Sequence, residues 1–212
     1  MGRLIAIEGL DGAGKRTLTE RLAAALTAQG ARTSRFAFPR YGASVHADLA
    51  RDALHGRLGD VVASVYAMAL LFALDRRDAA DEIRTALEAF DVVLVDRYIA
   101  SNAAYGAARL HQGANGEFVA WLRALELDRF ALPVPDRQLL VAVPHTVAAE
   151  RAAQRECREP HRRRDAYESD PGLQERTGEV YAQLAKQHWL SPWTVVDGAG
   201  GMDTDRVVAE IL

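Results

Sequence analysis

A glycine-rich segment near the beginning of the chain has the residue types and spacing of a phosphate-binding loop. It matches the pattern G-x-x-x-x-G-K at residues 9–15, after an apolar run at 4–7 and before a helical pattern. Glycines let the backbone wrap closely, so that N–H groups point at phosphate oxygens, and the next helix adds its positive N-terminal end. Lys15 is predicted to reach the β and γ phosphates of a nucleotide. The residues expected to hold that nucleotide are Gly9, Leu10, Asp11, Gly12, Ala13, Gly14, Lys15, Arg16 and Thr17.

One position of this loop departs from the usual pattern. The motif has Ser or Thr after the lysine to hold Mg²⁺, whereas this chain has Arg16 there and Thr17 one residue later. Because an arginine cannot ligate a cation, we expect Arg16 to act directly on phosphate and Mg²⁺ to find carboxylates elsewhere. Asp11 is the nearest candidate. Asp165 and Glu168 are expected to support it, since their three-residue spacing places both on one face of a helical turn.

A second charged pair, Asp96 and Arg97, follows the apolar run at 92–95. The carboxylate could reach a metal through water, and the guanidinium could bind phosphate with two parallel hydrogen bonds. Ligands of parallel sheets bind beyond the carboxyl ends of the strands, so this pair is expected beside the glycine-rich loop. The alternative is a helix-capping aspartate and an ordinary surface arginine.

Arginines are concentrated between residues 151 and 164. The six are Arg151, Arg155, Arg158, Arg162, Arg163 and Arg164. Like charges at this density repel unless anions neutralise them, which predicts a lid, at about residues 148–165, that closes on phosphates and excludes water. Arg155 and Arg158 are the leading candidates for contacting the transferring phosphate. The alternative is a solvated helix face.

Composition limits the class of protein. The 212 residues are 49% apolar and 26% charged, which fits one compact domain spanning residues 1–212. The formal net charge of −3 disfavours a general nucleic-acid binder. The first apolar run is too short for a signal peptide, and the stretch at 61–74 is shorter than a membrane span. We therefore expect a cytoplasmic protein with neither nucleic acid nor membrane as a partner.

The hydrophobic pattern alternates between strand and helix. Strands are predicted at 4–7, 33–38, 92–95, 139–143 and 194–196, and helices up to Gly30 and at 45–55, 61–89, 98–112, 116–130, 145–157, 171–188 and 203–211. Strands that are apolar throughout and separated by helices form parallel sheets covered on both faces. The predicted fold is therefore α/β: a three-layer P-loop fold with a parallel five-stranded sheet, helices on both faces and an Arg-rich lid.

Taken in order, these motifs resemble the thymidylate kinases, a family of P-loop nucleoside monophosphate kinases, and the resemblance spans essentially the whole chain. The motifs are Ile7-Glu8-Gly9-Leu10-Asp11-Gly12-Ala13-Gly14-Lys15, Phe38-Pro39-Arg40-Tyr41, Phe72-x-x-x-Arg76, Asp96-Arg97-Tyr98, Ser101-Asn102-x-x-Tyr105 and Asp165-Ala166-Tyr167-Glu168. The Asp-Arg-Tyr and Asn-x-x-Tyr combination is more specific than the glycine-rich loop alone.

The resemblance implies ATP-dependent phosphorylation of dTMP to dTDP, with Mg²⁺ as a cofactor. It implies that Phe72 stacks on thymine, that Arg76 hydrogen-bonds a thymine carbonyl and that Asn102 reads the base edge. Tyr105 would crowd the sugar 2′ position. The implied substrate-binding residues are Phe38, Tyr41, Phe72, Arg76, Arg97, Asn102, Tyr105 and Tyr167, with Tyr41 and Arg97 on the acceptor phosphate. The expected catalytic residues are Lys15, Arg16, Asp11, Arg97 and Arg155.

Other functions on the same loop remain open in part. Another nucleoside monophosphate kinase, a deoxynucleoside kinase and a non-catalytic ATP-binding module stay as alternatives. A GTPase is excluded, because it needs the guanine-binding motif Asn-Lys-x-Asp. The chain has only two lysines, Lys15 and Lys186, and neither follows an asparagine. The resemblance also suggests a cis Phe38–Pro39 bond. A homodimer is expected, because residues 61–74 are apolar nearly all round and the resembled family is dimeric.

Overall fold

The structure, a computed structural model, describes residues 2–158, 165–200 and 203–212, except for the side chains of Arg155 and Arg158. Five parallel strands form one sheet in the order β2-β3-β1-β4-β5. The strands are β1 (Arg3–Glu8), β2 (Thr33–Ala37), β3 (Val92–Asp96), β4 (Arg137–Ala142) and β5 (Trp193–Asp197). The predicted parallel five-stranded sheet is confirmed.

Helices connect the strands and cover the sheet. They are α1 (Lys15–Ala28), α2 (Val45–Leu54), α3 (Val65–Asp78), α4 (Ala80–Ala89), α5 (Ile99–Arg109), α6 (Glu117–Arg123), α7 (His145–Arg158), α8 (Pro171–Lys186) and α9 (Thr204–Ile211). A 3₁₀ turn at Val61–Ala63 precedes α3, and a π-helical segment at Ala124–Arg129 continues α6. No helix in the described ranges is long and apolar enough to cross a membrane.

Alternating residues of the central strands supply two separate cores. Ile5 and Ile7 of β1 pack into a cluster with Leu18 and Leu22 of α1. Leu4 and Ala6, which alternate with Ile5 and Ile7 along β1, pack into a second cluster on the opposite side of the sheet. This division follows from the two-residue period of a strand, and it explains why β1 and β3 are apolar throughout.

Two predicted helices are divided in the structure. The region predicted as helix at 61–89 becomes the 3₁₀ turn, α3 and α4. The Ser64 hydroxyl separates the turn from α3 by accepting a hydrogen bond from the Ala67 N–H at 3.2 Å. The prediction at 116–130 becomes α6 and the π-helical segment. Apolar spacing alone does not distinguish these local changes of helical geometry.

The carboxyl ends of β1, β2 and β3 lie at one edge and lead into the predicted site. The Arg97 N–H donates to the Ile7 carbonyl at 2.9 Å, which joins β3 to the beginning of the glycine-rich loop. The Phe38 N–H donates to the Asp96 carbonyl at 2.9 Å, which brings the segment after β2 to the same edge. The Phe38–Pro39 bond is cis, as expected.

Two helical glycines give a matched test of the packing. A Cβ added at Gly106 in α5 would lie 2.1 Å from the buried Phe118 ring, whereas one at Gly178 in α8 would lie 3.6 Å from its nearest neighbour, Leu10. Gly106→Ala is expected to destabilise by about 1–3 kcal/mol through overpacking, and Gly178→Ala to stabilise by about 0.5–1 kcal/mol through lower backbone entropy of the unfolded chain.

Thermal unfolding of both variants beside the parent protein checks this pair. A shift of roughly 2–4 °C per kcal/mol is expected for a chain of this size, in opposite directions for the two variants. Equal shifts would mean that α5 and α6 do not pack as closely as described.

Candidate active site

Lys15 begins α1 and folds back over the glycine-rich loop. Its Nζ donates to the carbonyls of Gly9 at 3.1 Å and Leu10 at 2.8 Å, and only 7% of the residue is exposed. Burial lowers the pKa of Lys15 to about 8, with the charge of Arg97 acting in the same direction and that of Asp11 opposing it. The loop thus holds its ammonium group in place before any phosphate arrives.

Glycine is required in this loop by backbone conformation and by a close approach. Gly12 and Gly14 have φ values of 80° and 100°, in the left-handed region that favours glycine. A Cβ on Gly12 would lie 2.1 Å from the carbonyl oxygen of Ala148 in α7. The loop therefore rests directly on the backbone of the helix that begins the predicted lid.

Asp11 and Arg97 form an ion pair beside Lys15. The Arg97 Nη2 donates to Asp11 Oδ1 at 2.5 Å, and the Tyr105 hydroxyl donates to Oδ2 at 2.7 Å. Burial by itself would raise the pKa of Asp11, but the charges of Arg97 and Lys15 outweigh it and hold that pKa well below its usual range. Asp11 is therefore ionised, and it fixes the guanidinium of Arg97 at the edge of the loop.

A fully buried carboxylate, Glu8, joins three elements behind this pair. It accepts hydrogen bonds from the Tyr98 N–H at 2.8 Å, the Ser101 hydroxyl at 2.6 Å and the Tyr181 hydroxyl at 3.0 Å. Burial raises the pKa of Glu8 despite these bonds. Ser101 also accepts from Arg97 Nη1 at 3.3 Å, so the network connects β1, α5 and α8 to the catalytic edge.

The other end of the site combines an aromatic side chain with a hydrogen-bonding edge. Phe72 of α3 is partly exposed, while Arg76 and Asn102 are 3% and 7% exposed. Arg76 forms a bidentate pair with Glu126, with Nε and Nη2 donating at 2.6 and 2.7 Å. Asn102 Nδ2 donates to the Ala69 carbonyl at 2.9 Å and to Glu126 at 3.1 Å. This end is suited to a flat ring with a polar edge.

Asp75, the neighbour of Arg76 on α3, fixes the segment after β2. It accepts from the Arg40 N–H at 2.9 Å and from Arg40 Nε at 2.9 Å. Tyr41, next in sequence, is 42% exposed, and the guanidinium of Arg51 lies 5.4 Å from its ring centroid. The Phe38–Tyr41 segment is thus held against α3 at the opening of the site.

The segment after the undescribed residues closes the site from the other side. Asp165 Oδ1 accepts from the N–H groups of Tyr167 at 2.8 Å and Glu168 at 2.9 Å. The Tyr167 ring stacks on Tyr105, with centroids 6.1 Å apart, and its hydroxyl accepts from Arg109. Aromatic rings therefore line the wall between the two ends of the site.

One cavity of about 1310 Å³ connects the end of the site at Lys15 with the end at Phe72. The predicted residues that line it are Asp11, Gly12, Gly14, Lys15, Arg16, Thr17, Phe38, Tyr41, Phe72, Arg76, Asp96, Arg97, Asn102, Tyr105, Asp165, Tyr167 and Glu168. Leu10 and Ala13 instead face the core, and a Cβ on Gly9 would lie 2.7 Å from the Val141 carbonyl oxygen. The side chains of Arg155 and Arg158, and all of Arg162–Arg164, lie outside the described residues.

Comparison with known proteins agrees with this geometry. A family model described as thymidylate kinase matches residues 7–198. Thymidylate kinases from two strains of Mycobacterium tuberculosis, CDC 1551 / Oshkosh and ATCC 25618 / H37Rv, are each 55% identical over 208 residues, covering 98% of this chain and 96% of the relative. The chain belongs to the thymidylate kinase family. A thymidylate kinase from Bifidobacterium longum (strain DJO10A) is 34% identical over 186 residues, covering 87% of this chain and 84% of the relative.

The carboxylates assigned to Mg²⁺ do not form a ready-made cluster in this family member. Asp11 gives one oxygen to Arg97 and the other to Tyr105, and one oxygen of Asp165 caps a turn. Among the described residues, no group of three acidic, histidine or cysteine side chains is arranged to hold a metal ion. Asp11, Asp165 and Glu168 stay a predicted ligand set for Mg²⁺, and the described residues do not preassemble it as a cluster.

Sequence reasoning missed several residues that position the thymidylate kinase site. Glu126 holds the predicted residues Arg76 and Asn102 by direct hydrogen bonds, whereas Glu8 and Asp75 bond Ser101 and Arg40, which lie in the family motifs but were not predicted site residues. Glu8 carried a signal, since an acid at the end of an apolar strand is buried with it and needs partners. Glu126 carried none, because its partners lie 24 and 50 residues away in sequence.

The depressed pKa of Lys15 predicts pH-dependent binding of ATP. Above pH 8 the amine of the free protein becomes neutral, so the affinity for ATP is expected to fall as pH rises. Bound ATP is expected to raise the Lys15 pKa, because phosphate charge stabilises the ammonium form.

Selective ¹³C labelling of lysine measures this titration with two signals, because the chain has only Lys15 and Lys186. Lys15→Ala assigns them. A Lys15 midpoint at the ordinary value of about 10.4 in the protein without nucleotide would contradict the prediction.

Proposed function

We propose that the protein transfers the γ-phosphoryl group of ATP to the 5′-phosphate of dTMP. A phosphate oxygen of dTMP forms a bond to the γ phosphorus while the bond from that phosphorus to the β–γ bridging oxygen breaks, which yields dTDP and ADP. The observation that carries this proposal is the single cavity with the glycine-rich loop and Lys15 at one end and Phe72, Arg76 and Asn102 at the other. Membership of the thymidylate kinase family supports the same reaction.

Charge in the cavity suits an in-line transfer between two polyanions. Phosphoryl transfer depends on positioning and on neutralising charge over the transferred group. We propose that Lys15 contacts the β and γ phosphates and that Arg97 and Tyr41 hold the acceptor phosphate. Arg16 is 75% exposed in its side chain and pairs with Glu20 at 3.0 Å. We propose that phosphate draws Arg16 inward and that Arg155 and Arg158 complete the set when the lid closes.

The nucleoside end suits a pyrimidine deoxynucleotide. Phe72 offers a ring face for the base, and Arg76 and Asn102 offer the polar edge. Tyr105 lies between this edge and Asp11, and it stacks on Tyr167. We propose that Tyr105 crowds the sugar 2′ position, which favours a deoxyribose over a ribose.

An acceptor panel tests the function. Purified protein with ATP and Mg²⁺ is expected to release ADP with dTMP and to give much less with thymidine, dCMP or dGMP. Lys15→Ala is expected to lower kcat at least about 10²-fold, since groups that stabilise developing charge in a dry site contribute on this scale. Lys186→Ala, which removes the other lysine, serves as the matched control.

The panel also separates the alternatives. Turnover of thymidine but not of dTMP would identify a deoxynucleoside kinase. ATP turnover that is indifferent to every acceptor would contradict a monophosphate kinase.

Mg²⁺ fits the donor set of this cavity, although no cluster is preformed. Asp11, Asp165 and Glu168 all face the cavity. Burial raises the pKa of Asp165, and the negative charge of Asp11 raises it further. A carboxylate has about four lone-pair sites, so Asp11 can bind a cation while it accepts from Arg97 and Tyr105. Mg²⁺ usually takes one or two carboxylates with phosphates and waters. Its chemistry here would be to neutralise phosphate charge.

Asp96 is the competing carboxylate for this ion. Its Oδ1 is buried and has no hydrogen-bond partner among the described residues. A buried, unpartnered carboxylate oxygen is costly without a cation or water beside it. We keep Asp11, supported by Asp165 and Glu168, as the proposed ligand set, and Asp96 as a contact through water.

Binding of Mn²⁺ to the complex with ATP and dTMP distinguishes the two carboxylates. Asp11→Asn is expected to weaken the metal about 10–100-fold, the scale on which loss of a supporting group acts, and Asp96→Asn to weaken it less. Tyr105→Phe, which removes a contact to Asp11 but no charge, is the control. Loss of metal in Asp96→Asn alone would place the ion on that residue.

We also propose that the protein is a homodimer through the outer face of α3. Tyr66 and Leu70, one helical turn apart, are 43% and 40% exposed, and the Tyr66 ring packs edge-on against Trp121 of α6 at 4.7 Å between centroids. One face of α3 packs into the protein, and the face that carries Tyr66 and Leu70 is open to a partner chain. A single domain over residues 1–212 and a cytoplasmic location stay predictions.

Light scattering at micromolar concentration tests the dimer, with twice the chain mass of 23.2 kDa expected. Leu70→Glu is expected to give the monomer mass, because a charge would have to be buried unpaired in the interface. Val195→Glu alters a residue that is 56% exposed on the edge strand β5, outside α3, and is expected to leave the dimer intact. A monomer mass for the parent protein would refute the proposal.

A further inference from the structure

Glu126 is a fully buried carboxylate that contacts both polar residues of the base-binding edge. Its Oε2 accepts from Arg76 Nε at 2.6 Å, and its Oε1 accepts from Arg76 Nη2 at 2.7 Å and from Asn102 Nδ2 at 3.1 Å. Its own exposure is 0%. Burial alone would lower the pKa of Arg76, but the charge and hydrogen bonds of Glu126 outweigh it and raise that pKa. Glu126 itself does not line the cavity.

The contacts of Glu126 determine which atom of Asn102 remains for a ligand. Both bonds of Asn102 use its amide nitrogen: one to Glu126 and one to the Ala69 carbonyl at 2.9 Å. A carboxylate and a carbonyl only accept hydrogen bonds. If the amide turned over, Asn102 Oδ1 would face two acceptor oxygens, which repel it. Among the described residues, Oδ1 has no hydrogen-bond partner, so it is the atom left for the cavity.

The same reasoning applies to Arg76. Nε and Nη2 are both held by Glu126, and Nη1 makes no hydrogen bond to the described residues. The edge therefore presents one donor, from Arg76, and one acceptor, from Asn102. A thymine ring has an acceptor carbonyl at position 4 beside a donor N–H at position 3, which matches. A cytosine ring has a donor amino group beside an acceptor nitrogen, which does not.

We infer that Glu126 is a positioning residue that selects thymine over cytosine. It touches neither substrate, and it acts by fixing the amide of Asn102 and the guanidinium of Arg76 in the orientation that complements an N3–H base. This inference rests on the proposed function and deepens it. It also gives a role to the π-helical segment at Ala124–Arg129, which carries Glu126 into the core; such segments occur frequently at functional sites.

Glu126→Gln tests the inference because glutamine keeps the shape but can both donate and accept. In either orientation the glutamine nitrogen replaces an oxygen that accepts from Arg76, so one Arg76 contact is lost. At the Oε1 position it can also donate to a turned-over Asn102 amide, which then meets one repelling oxygen, that of Ala69, instead of two. The ratio of kcat/KM for dTMP to that for dCMP is expected to fall at least about tenfold, the scale of one hydrogen bond to a charged group. The change should lie in KM, with kcat within about threefold, since Glu126 does not contact the transferred phosphate.

Asp128→Asn is the matched control, because it removes an acid from the same π-helical segment. The Asp128 side chain is 61% exposed, whereas that of Glu126 is buried. This control and the parent protein are expected to phosphorylate dTMP equally and to discriminate equally. If neither phosphorylates dTMP, the proposed function fails. If both do and Glu126→Gln keeps the parent ratio, the inference about Glu126 fails while the function stands.

Glu126→Asp covers the case in which Glu126→Gln does not fold. It keeps the charge but withdraws the carboxylate by one methylene, so it cannot hold Arg76 and Asn102 together. The discrimination ratio is again expected to fall at least about tenfold. Thermal unfolding of each variant separates this effect from stability: a lower Tm with an unchanged discrimination ratio would show a purely structural ion pair and overturn the inference.

Discussion

The site depends on burying charge at the carboxyl edge of the sheet. Lys15, Arg97 and Asp11 are brought within hydrogen-bond reach of one another or of the loop backbone, and each is largely withdrawn from water. A buried ion is costly unless partners replace its hydration. The glycine-rich loop meets this requirement with carbonyl oxygens for the lysine, and Asp11 meets it for the arginine. The two cations are thereby held at the edge of the sheet, where a bound phosphate would replace part of the hydration that they lost on burial.

Three acids that touch no phosphate hold this arrangement together. Glu8 fixes Ser101 behind Arg97, Asp75 fixes the Phe38–Tyr41 segment through Arg40, and Glu126 fixes the base-binding edge. Each of them is at most 1% exposed. Because a buried acid without its partner is strongly destabilising, each contact specifies one orientation of the residue it holds. These contacts fix the residues proposed to bind the base and the acceptor phosphate in the orientations that the structure shows.

The sequence was sufficient for the sheet for a physical reason, whereas Phe72, Arg76 and Asn102 were expected in the cavity wall only from the family resemblance. Apolar runs such as 92–95 can only be buried strands, and parallel strands bring their carboxyl ends, hence Lys15 and Arg97, to one edge. The boundaries of the helices were harder to predict from the sequence, since Ser64 interrupts a stretch that is apolar on both sides of it. Glu126 could not be found at all, because its effect depends on long-range contacts. The Mg²⁺ ligands stay a prediction, since Asp11 accepts hydrogen bonds from Arg97 and Tyr105 and still has lone pairs for a cation.

Gly12 joins the glycine-rich loop to α7 through direct contact between two backbones. Nothing separates this residue from the backbone of α7, whose Ala148 oxygen occupies the space that a Cβ would need. Contact between two backbones has no flexible side chain to absorb a displacement. A shift of the Gly12 backbone toward α7 would therefore have to displace the helix itself, because no side chain lies between the two.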